Sequence, residues 1–178
     1  IKVTYSTLAS PDPLLHQYFD EAVVEAKERF GAIYPLLING EERFGEETFA
    51  KTSPIDTNMV MAYFQKGTVE DAKDAVAAAK AAFPAWSARP WQERVGLLRK
   101  AADLISERLF YMGAVMSMEV GKNRLEALGD VEETADLIRY NCDAVEKNNR
   151  FSHELLAESD KHHNRSVLKP YGVWVVIS

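Results

Sequence analysis

Three groups of residues in this sequence are of types that do chemistry, and each has a structural alternative. The single cysteine, Cys142, is a potential nucleophile, because a thiolate attacks carbonyl carbon. It also falls in step with Leu128, Val131, Ala135, Ile138 and Val145, the apolar positions of one helical stretch, where a small thiol packs and stays inert. The spacing places it in the core. His162 and His163, with His153 nearby, are metal-ligand types, but successive residues of an extended segment point to opposite faces and converge poorly on one ion. No metal site is assigned to them. Glu126, Asp130 and Glu133 recur at i, i+4 and i+7, so their carboxylates share one helix face and repel one another. That face either meets water or turns toward a pocket or a cationic partner.

The familiar signatures of cofactor and phosphate chemistry are missing. None of the nine glycines is arranged as Gly-x-Gly-x-x-Gly, no Gly-Lys-Ser/Thr phosphate loop occurs, and no His-Glu-x-x-His pair could hold zinc. From the residues alone, no catalytic constellation is complete.

The elements that would position these residues are legible. Pro11-Asp12-Pro13 opens a helix whose apolar positions Leu15, Phe19, Ala22, Ala26 and Phe30 recur at helical spacing up to a stop at Gly31. Leu36-Leu37-Ile38 runs into Asn39-Gly40, a dipeptide suited to the positive φ angles of a tight hairpin. A second β stretch covers residues 59–64, after the Ser53-Pro54 loop and before Lys66-Gly67. Thr68 with Asp71 resembles a capping box for a helix with the stripe Val69, Ala72, Val76, Ala79 and Phe83, which Pro84 is expected to end. Pro90 opens the next helix, with Val95, Leu98, Ala102, Ile105, Leu109, Met112 and Met116 on one side and a possible break at residues 108–113. Gly121 closes that segment and a further long helix carries the carboxylates and Cys142. Residues 148–169 turn polar and read as a loop or extended arm, before residues 173–177 give a Val/Ile-rich run typical of a parallel strand covered on both faces.

Composition narrows the class. With 47% hydrophobic and 27% charged residues over 178 positions, the chain fits one packed domain and neither a disordered nor a disulfide-framework protein. The net charge is −6, with the basic residues dispersed, which argues against nucleic acid as a partner. Apolar runs fall far short of the roughly 20 residues of a membrane span. One cysteine and no signal-peptide pattern at Ile1-Lys2-Val3 point to a reducing compartment, the cytosol. The start at Ile1 and the buried-type strand at the other end lead to the expectation of a fragment of a larger protein.

The order of several stretches resembles the N-terminal third of the NAD(P)-dependent aldehyde dehydrogenase superfamily. They are Ile38-Asn39-Gly40-Glu41, Ser53-Pro54, Ala82-Phe83-Pro84-Ala85-Trp86, Arg94 with Leu97-Leu98-Arg99-Lys100-Ala101-Ala102, Glu119-Val120-Gly121-Lys122, and Lys169-Pro170-Tyr171-Gly172-Val173 leading to Ile177-Ser178. Within the superfamily, Phe30-Gly31-Ala32-Ile33-Tyr34-Pro35-Leu36 and the run from Glu119 through Asn123-Arg124-Leu125-Glu126-Ala127 to Asp130-Val131-Glu132-Glu133 are most similar to the 1-pyrroline-5-carboxylate dehydrogenases. The fold this implies is α/β, the helix-rich N-terminal portion of the aldehyde dehydrogenase fold, ending in the first strand of the Rossmann-like NAD-binding sheet. Residues 1–178 would then be an incomplete NAD-binding domain without its catalytic domain.

The function implied is oxidation of glutamate semialdehyde, a small-molecule aldehyde, to glutamate in proline catabolism, with NAD or NADP as cofactor. In that mechanism a cysteine thiolate attacks the aldehyde and a glutamate-activated water hydrolyses the thioester. The resemblance puts that cysteine, the glutamate and the oxyanion-binding asparagine after Ser178, so this portion alone would be inactive, and Cys142 does not match the nucleophile. It assigns Glu133 to the substrate pocket, Ile177 and Ser178 to the cofactor, and residues of about 150–169 to a subunit-contact arm, hence a homo-oligomer in the complete protein. The location would be cytoplasmic, or the mitochondrial matrix in a eukaryote. Two other readings stay open: another aldehyde or semialdehyde dehydrogenase of the superfamily, and a non-catalytic helical interaction module.

Overall fold

The computed structural model describes Val3 and residues 12–177. The first helix, α1 (Pro13–Lys27), begins where the sequence predicts: Asp12 caps it by accepting from the Leu14 N–H at 2.9 Å, with Pro13 in the first turn. Leu15, Phe19, Ala22 and Ala26 are its buried face. It stops a turn earlier than expected, and Phe30 and Gly31 (φ 81°) lie in the turn that follows.

The β part is small. Strands β1 (Ala32–Tyr34), β4 (Thr48–Thr52) and β5 (Val60–Gln65) form a sheet in the order β1-β5-β4, parallel for the first pair and antiparallel for the second. Between them, β2 (Leu36–Ile38) and β3 (Glu41–Arg43) form the expected hairpin. Its turn residues Asn39 (φ 54°) and Gly40 (φ 79°) both occupy the left-handed region that such a turn requires.

The rest is helical: α2 (Val69–Ala88), α3 (Trp91–Glu107), α4 (Leu109–Val120) and α5 (Arg124–Lys147). Helix α2 has the full capping box at Thr68 and Asp71. It does not stop at Pro84, which lies inside it. The proline ring removes a single intrahelical N–H bond, and the surrounding turns are exposed, so water can serve the orphaned carbonyl. A break at Arg108 separates α3 from α4 and re-phases the apolar stripe. Val95 and Ala102 are buried on α3, then Leu109, Ala114 and Met118 on α4, while Leu98 and Met112 of the sequence stripe are exposed.

The main core is where α1, α4 and α5 meet, with Val3, Leu15, Phe19, Ala22, Leu109, Ala114, Leu128 and Val131 in one buried cluster. Gly113 allows this approach: a Cβ there would lie 2.8 Å from Leu128 Cδ2. On the other side of α5, Cys142 is buried with its Sγ 3.9 Å from the Val95 carbonyl oxygen of α3. It packs, as its place in the stripe predicts.

After a short 3-10 turn (Asn149–Phe151), the polar stretch is an antiparallel ribbon of β6 (Ser152–Leu155) and β7 (Asn164–Val167). His153 lies on β6, and His162 lies in the connection, where its Nδ1 is 3.0 Å from Ser159 Oγ. The segment expected to be the last strand has no ladder partner among the described residues. A strand is held by hydrogen bonds to neighbours, and here the side chains of Trp174, Val175, Val176 and Ile177 stand exposed instead.

Candidate functional site

The acidic face of α5 is placed by the connection that precedes it. Helix α4 ends at Gly121, whose φ of 76° reverses the chain at no steric cost, and its N–H donates to the Ser117 carbonyl at 3.0 Å. Asn123 then starts α5, its side-chain oxygen accepting from the Leu125 and Glu126 N–H groups at 3.1 and 3.0 Å. Lys122 is the residue between the two caps.

Its surroundings hold it from several sides. Ser117 Oγ donates to the Lys122 carbonyl at 2.5 Å. Ser53, fully buried, donates to the Met118 carbonyl at 2.5 Å and accepts from the Ile55 N–H at 3.2 Å, which fastens the Ser53-Pro54 loop to the end of α4. Lys51 of β4 pairs with Glu119 at 3.5 Å. The Lys122 ammonium bonds to the Asp130 carboxylate, both side chains being partly buried. Hydrogen bonding to Asp130 raises the Lys122 pKa above its ordinary value against a smaller opposing effect of burial, and the charges of Asp130, Glu126 and Glu133 add to the rise. Of the three carboxylates in the sequence pattern, Asp130 takes the direct bond to this cation.

Glu133 itself is exposed on α5 and has no ion-pair partner within 4.0 Å among the described residues. Ile177 is 91% exposed, so it is not packed against the α5 face, and Ser178 lies outside the described residues. The structure therefore joins Asp130 to Lys122, leaves Glu126 and Glu133 without an ion-pair partner among the described residues, and does not join this face to Ile177. Sequence reasoning missed Lys122, Ser117 and Ser53 as parts of this arrangement. The one available signal was a lysine between Gly121 and an N-cap asparagine, a placement that points a cation toward the first turns of the next helix.

Away from this face, α5 is tied to α3 by arginines. Arg99 donates to Asp143 at 2.8 Å and to Glu146 at 2.7 Å. Arg139 reaches Asp103 and Glu132 at 3.1 and 3.3 Å and Ser106 at 2.9 Å. These pairs engage Glu132, Asp143 and Glu146 of α5, whereas Glu126 and Glu133, nearer Lys122, have no ion-pair partner among the described residues.

Comparison with known proteins bears on the family of the chain. The aldehyde dehydrogenase family matches residues 41–178. A 1-pyrroline-5-carboxylate dehydrogenase of Staphylococcus saprophyticus is 33% identical over 159 residues, covering 89% of this chain and 30% of the relative. A variant of the Thermus thermophilus 1-pyrroline-5-carboxylate dehydrogenase superposes with a TM-score of 0.76 at 31% identity, over 83% of this chain and 28% of that one. The Delta-pyrroline-5-carboxylate dehydrogenase of Mycobacterium tuberculosis shares the fold at a TM-score of 0.75 and 22% identity, over 88% of this chain and 28% of that one. This chain spans about 30% of the length of the curated relatives it matches. With the match extending over most of its residues, the chain belongs to the aldehyde dehydrogenase family.

Proposed function

We propose that the chain is the N-terminal portion of an NAD(P)-dependent aldehyde dehydrogenase that oxidises L-glutamate 5-semialdehyde, the open form of 1-pyrroline-5-carboxylate, to glutamate in proline catabolism. The observation that carries this reading is the 33% identity over 89% of the chain to a protein of that activity, a stretch that includes the acidic face of α5. The substrate keeps an α-ammonium beside its aldehyde chain. The Glu133 carboxylate, with no ion-pair partner among the described residues, is suited to receive that ammonium, whereas a simple aldehyde offers it nothing.

The described residues do not form a dinucleotide site by themselves. Such a site needs a strand end beside a helix N-terminus to face the pyrophosphate, and residues 171–177 pair with no strand among the described residues. In the complete protein Ile177 and Ser178 would line the dinucleotide, with residues 1–178 in the NAD-binding domain and the catalytic domain elsewhere. The β6–β7 ribbon is proposed as a subunit-contact arm of a homo-oligomer, because its outer edges carry unpaired backbone groups that another chain's sheet can meet. Among the described residues no helix is long and apolar enough to cross a membrane, and the proposed location is the cytosol.

The test uses the full-length enzyme with 1-pyrroline-5-carboxylate and a panel of aldehydes. Preference for the former is expected, and Glu133→Ala should raise its KM about tenfold, the worth of one charge-assisted contact. Unchanged kinetics would remove Glu133 from the substrate pocket, and preference for another aldehyde would replace the substrate.

A further inference from the structure

Three carboxylates lie along one face of α5, and the Lys122 ammonium bonds to one of them. Lys122 pairs with Asp130, while Glu126 and Glu133 have no ion-pair partner within 4.0 Å among the described residues. Residues three and four apart on a helix have Cβ atoms about 5–6 Å from each other, so a lysine stem that reaches Asp130 can also reach either neighbour. Its starting point is fixed: the Ser117 hydroxyl holds the Lys122 carbonyl, Gly121 sets the turn, and Asn123 is bound as the N-cap. The choice of carboxylate is therefore made by the side chains.

We infer that Asp130 is a positioning residue that tethers the Lys122 ammonium and so keeps Glu133 open to the ammonium of an amino-bearing aldehyde. The inference rests on the glutamate semialdehyde reading above. Lys122 and the substrate carry the same group, a primary ammonium, and compete for the same acceptor. Without Asp130, Lys122 would fall on Glu133 or Glu126 and act as an internal competitor of the substrate. With Asp130 in place the competitor is sequestered, and the enzyme discriminates in favour of substrates that bring their own cation. Asp130 need not touch the substrate to do this.

The experiment compares kcat/KM of the full-length enzyme for glutamate semialdehyde with that for propanal, which has no amino group. Asp130→Asn is expected to lower this ratio about tenfold, through KM for the amino-bearing substrate, as one charge-assisted contact is lost. Asp130→Asn combined with Lys122→Met should restore most of the ratio, because the competitor is gone, and a role in packing alone would not produce this recovery. Lys122→Met alone should keep or raise the ratio, and this variant carries the test if Asp130→Asn does not fold. An unchanged ratio in Asp130→Asn, an equal loss for both substrates, no recovery in the double variant, or a lowered ratio in Lys122→Met would each overturn the inference. A preference that Glu133→Gln abolishes and Asp130→Asn leaves intact overturns the tether alone. A wild-type enzyme without preference for the amino-bearing aldehyde overturns the substrate reading and the tether with it.

Discussion

Helices α2 and α5 have comparable sequences by pattern and opposite fates in the fold. They are 20 and 24 residues long, and each has an apolar stripe at helical spacing. Helix α5 buries Ala127, Leu128, Val131, Ala135 and Cys142 between α3 and α4, whereas α2 buries no residue at all. What fastens α2 is polar: its Asp74 and Asp71 meet Arg43 of β3 at 2.7 and 3.5 Å. Ties of this kind between partly exposed side chains add little stability. Periodicity thus shows that a face is suited to be covered, and the fold decides whether a partner is at hand.

The largest effect that sharpens this contrast is a cavity. Leu128 is fully buried, so Leu128→Ala should cost about 2–5 kcal/mol. Phe83→Ala, at a half-buried position of the otherwise mostly exposed α2, should cost less than about 1 kcal/mol, although it deletes more atoms. Urea denaturation of the two variants checks this, and equal losses would erase the distinction between the helices. A smaller effect comes from glycine. Gly113→Ala forces a methyl against the enclosed Leu128 side chain, and should destabilise by about 1–3 kcal/mol. Gly96→Ala in α3 meets nothing within 4 Å, so it should stabilise by about 0.5–1 kcal/mol through helix propensity. The same substitution is expected to have opposite signs at the two positions.

The parts of this architecture that were legible in the sequence are those set by local chemistry. Asn39-Gly40, Thr68 with Asp71, and Gly121 each dictate a turn or a cap through their own backbone preferences, and all three do so in the structure. The stripe that includes Cys142 was legible because its partner surface lies within the same chain. Pro84 misled because a proline's disruption depends on whether its turn is buried, which local sequence does not state. Leu98 and Met112 misled because a break at Arg108 shifts the phase of the stripe. In the candidate site, the row of carboxylates followed from spacing. The grip of Ser53, Ser117 and Lys122 did not, since one contact ties the end of α4 to a loop 65 residues earlier and another ties the residue between the two caps to Asp130, two turns into α5.

The smallest effect concerns the two N-termini and turns on pH. The first turn of α2 depends on an ionised group: Asp71 accepts from the Thr68 hydroxyl and N–H at 2.7 and 2.8 Å. The hydrogen bonds from Thr68, chiefly, and the weaker pull of Arg43 hold its pKa below the ordinary aspartate value. A depressed pKa in the folded state means that this contribution is complete above the unfolded value of about 3.9 and is lost as pH falls through the lower, folded value. The cap of α5 is the neutral amide of Asn123, which does not titrate in that range. Amide exchange should therefore show protection in the first turn of α2 falling as pH drops below about 4, while the first-turn amides capped by Asn123 hold. Thr68→Ala, which removes the cap and costs about 1 kcal/mol, should move the α2 transition up toward the ordinary carboxylate range. If both termini lost protection together in the native protein, the acid response would belong to the shared core and not to the cap.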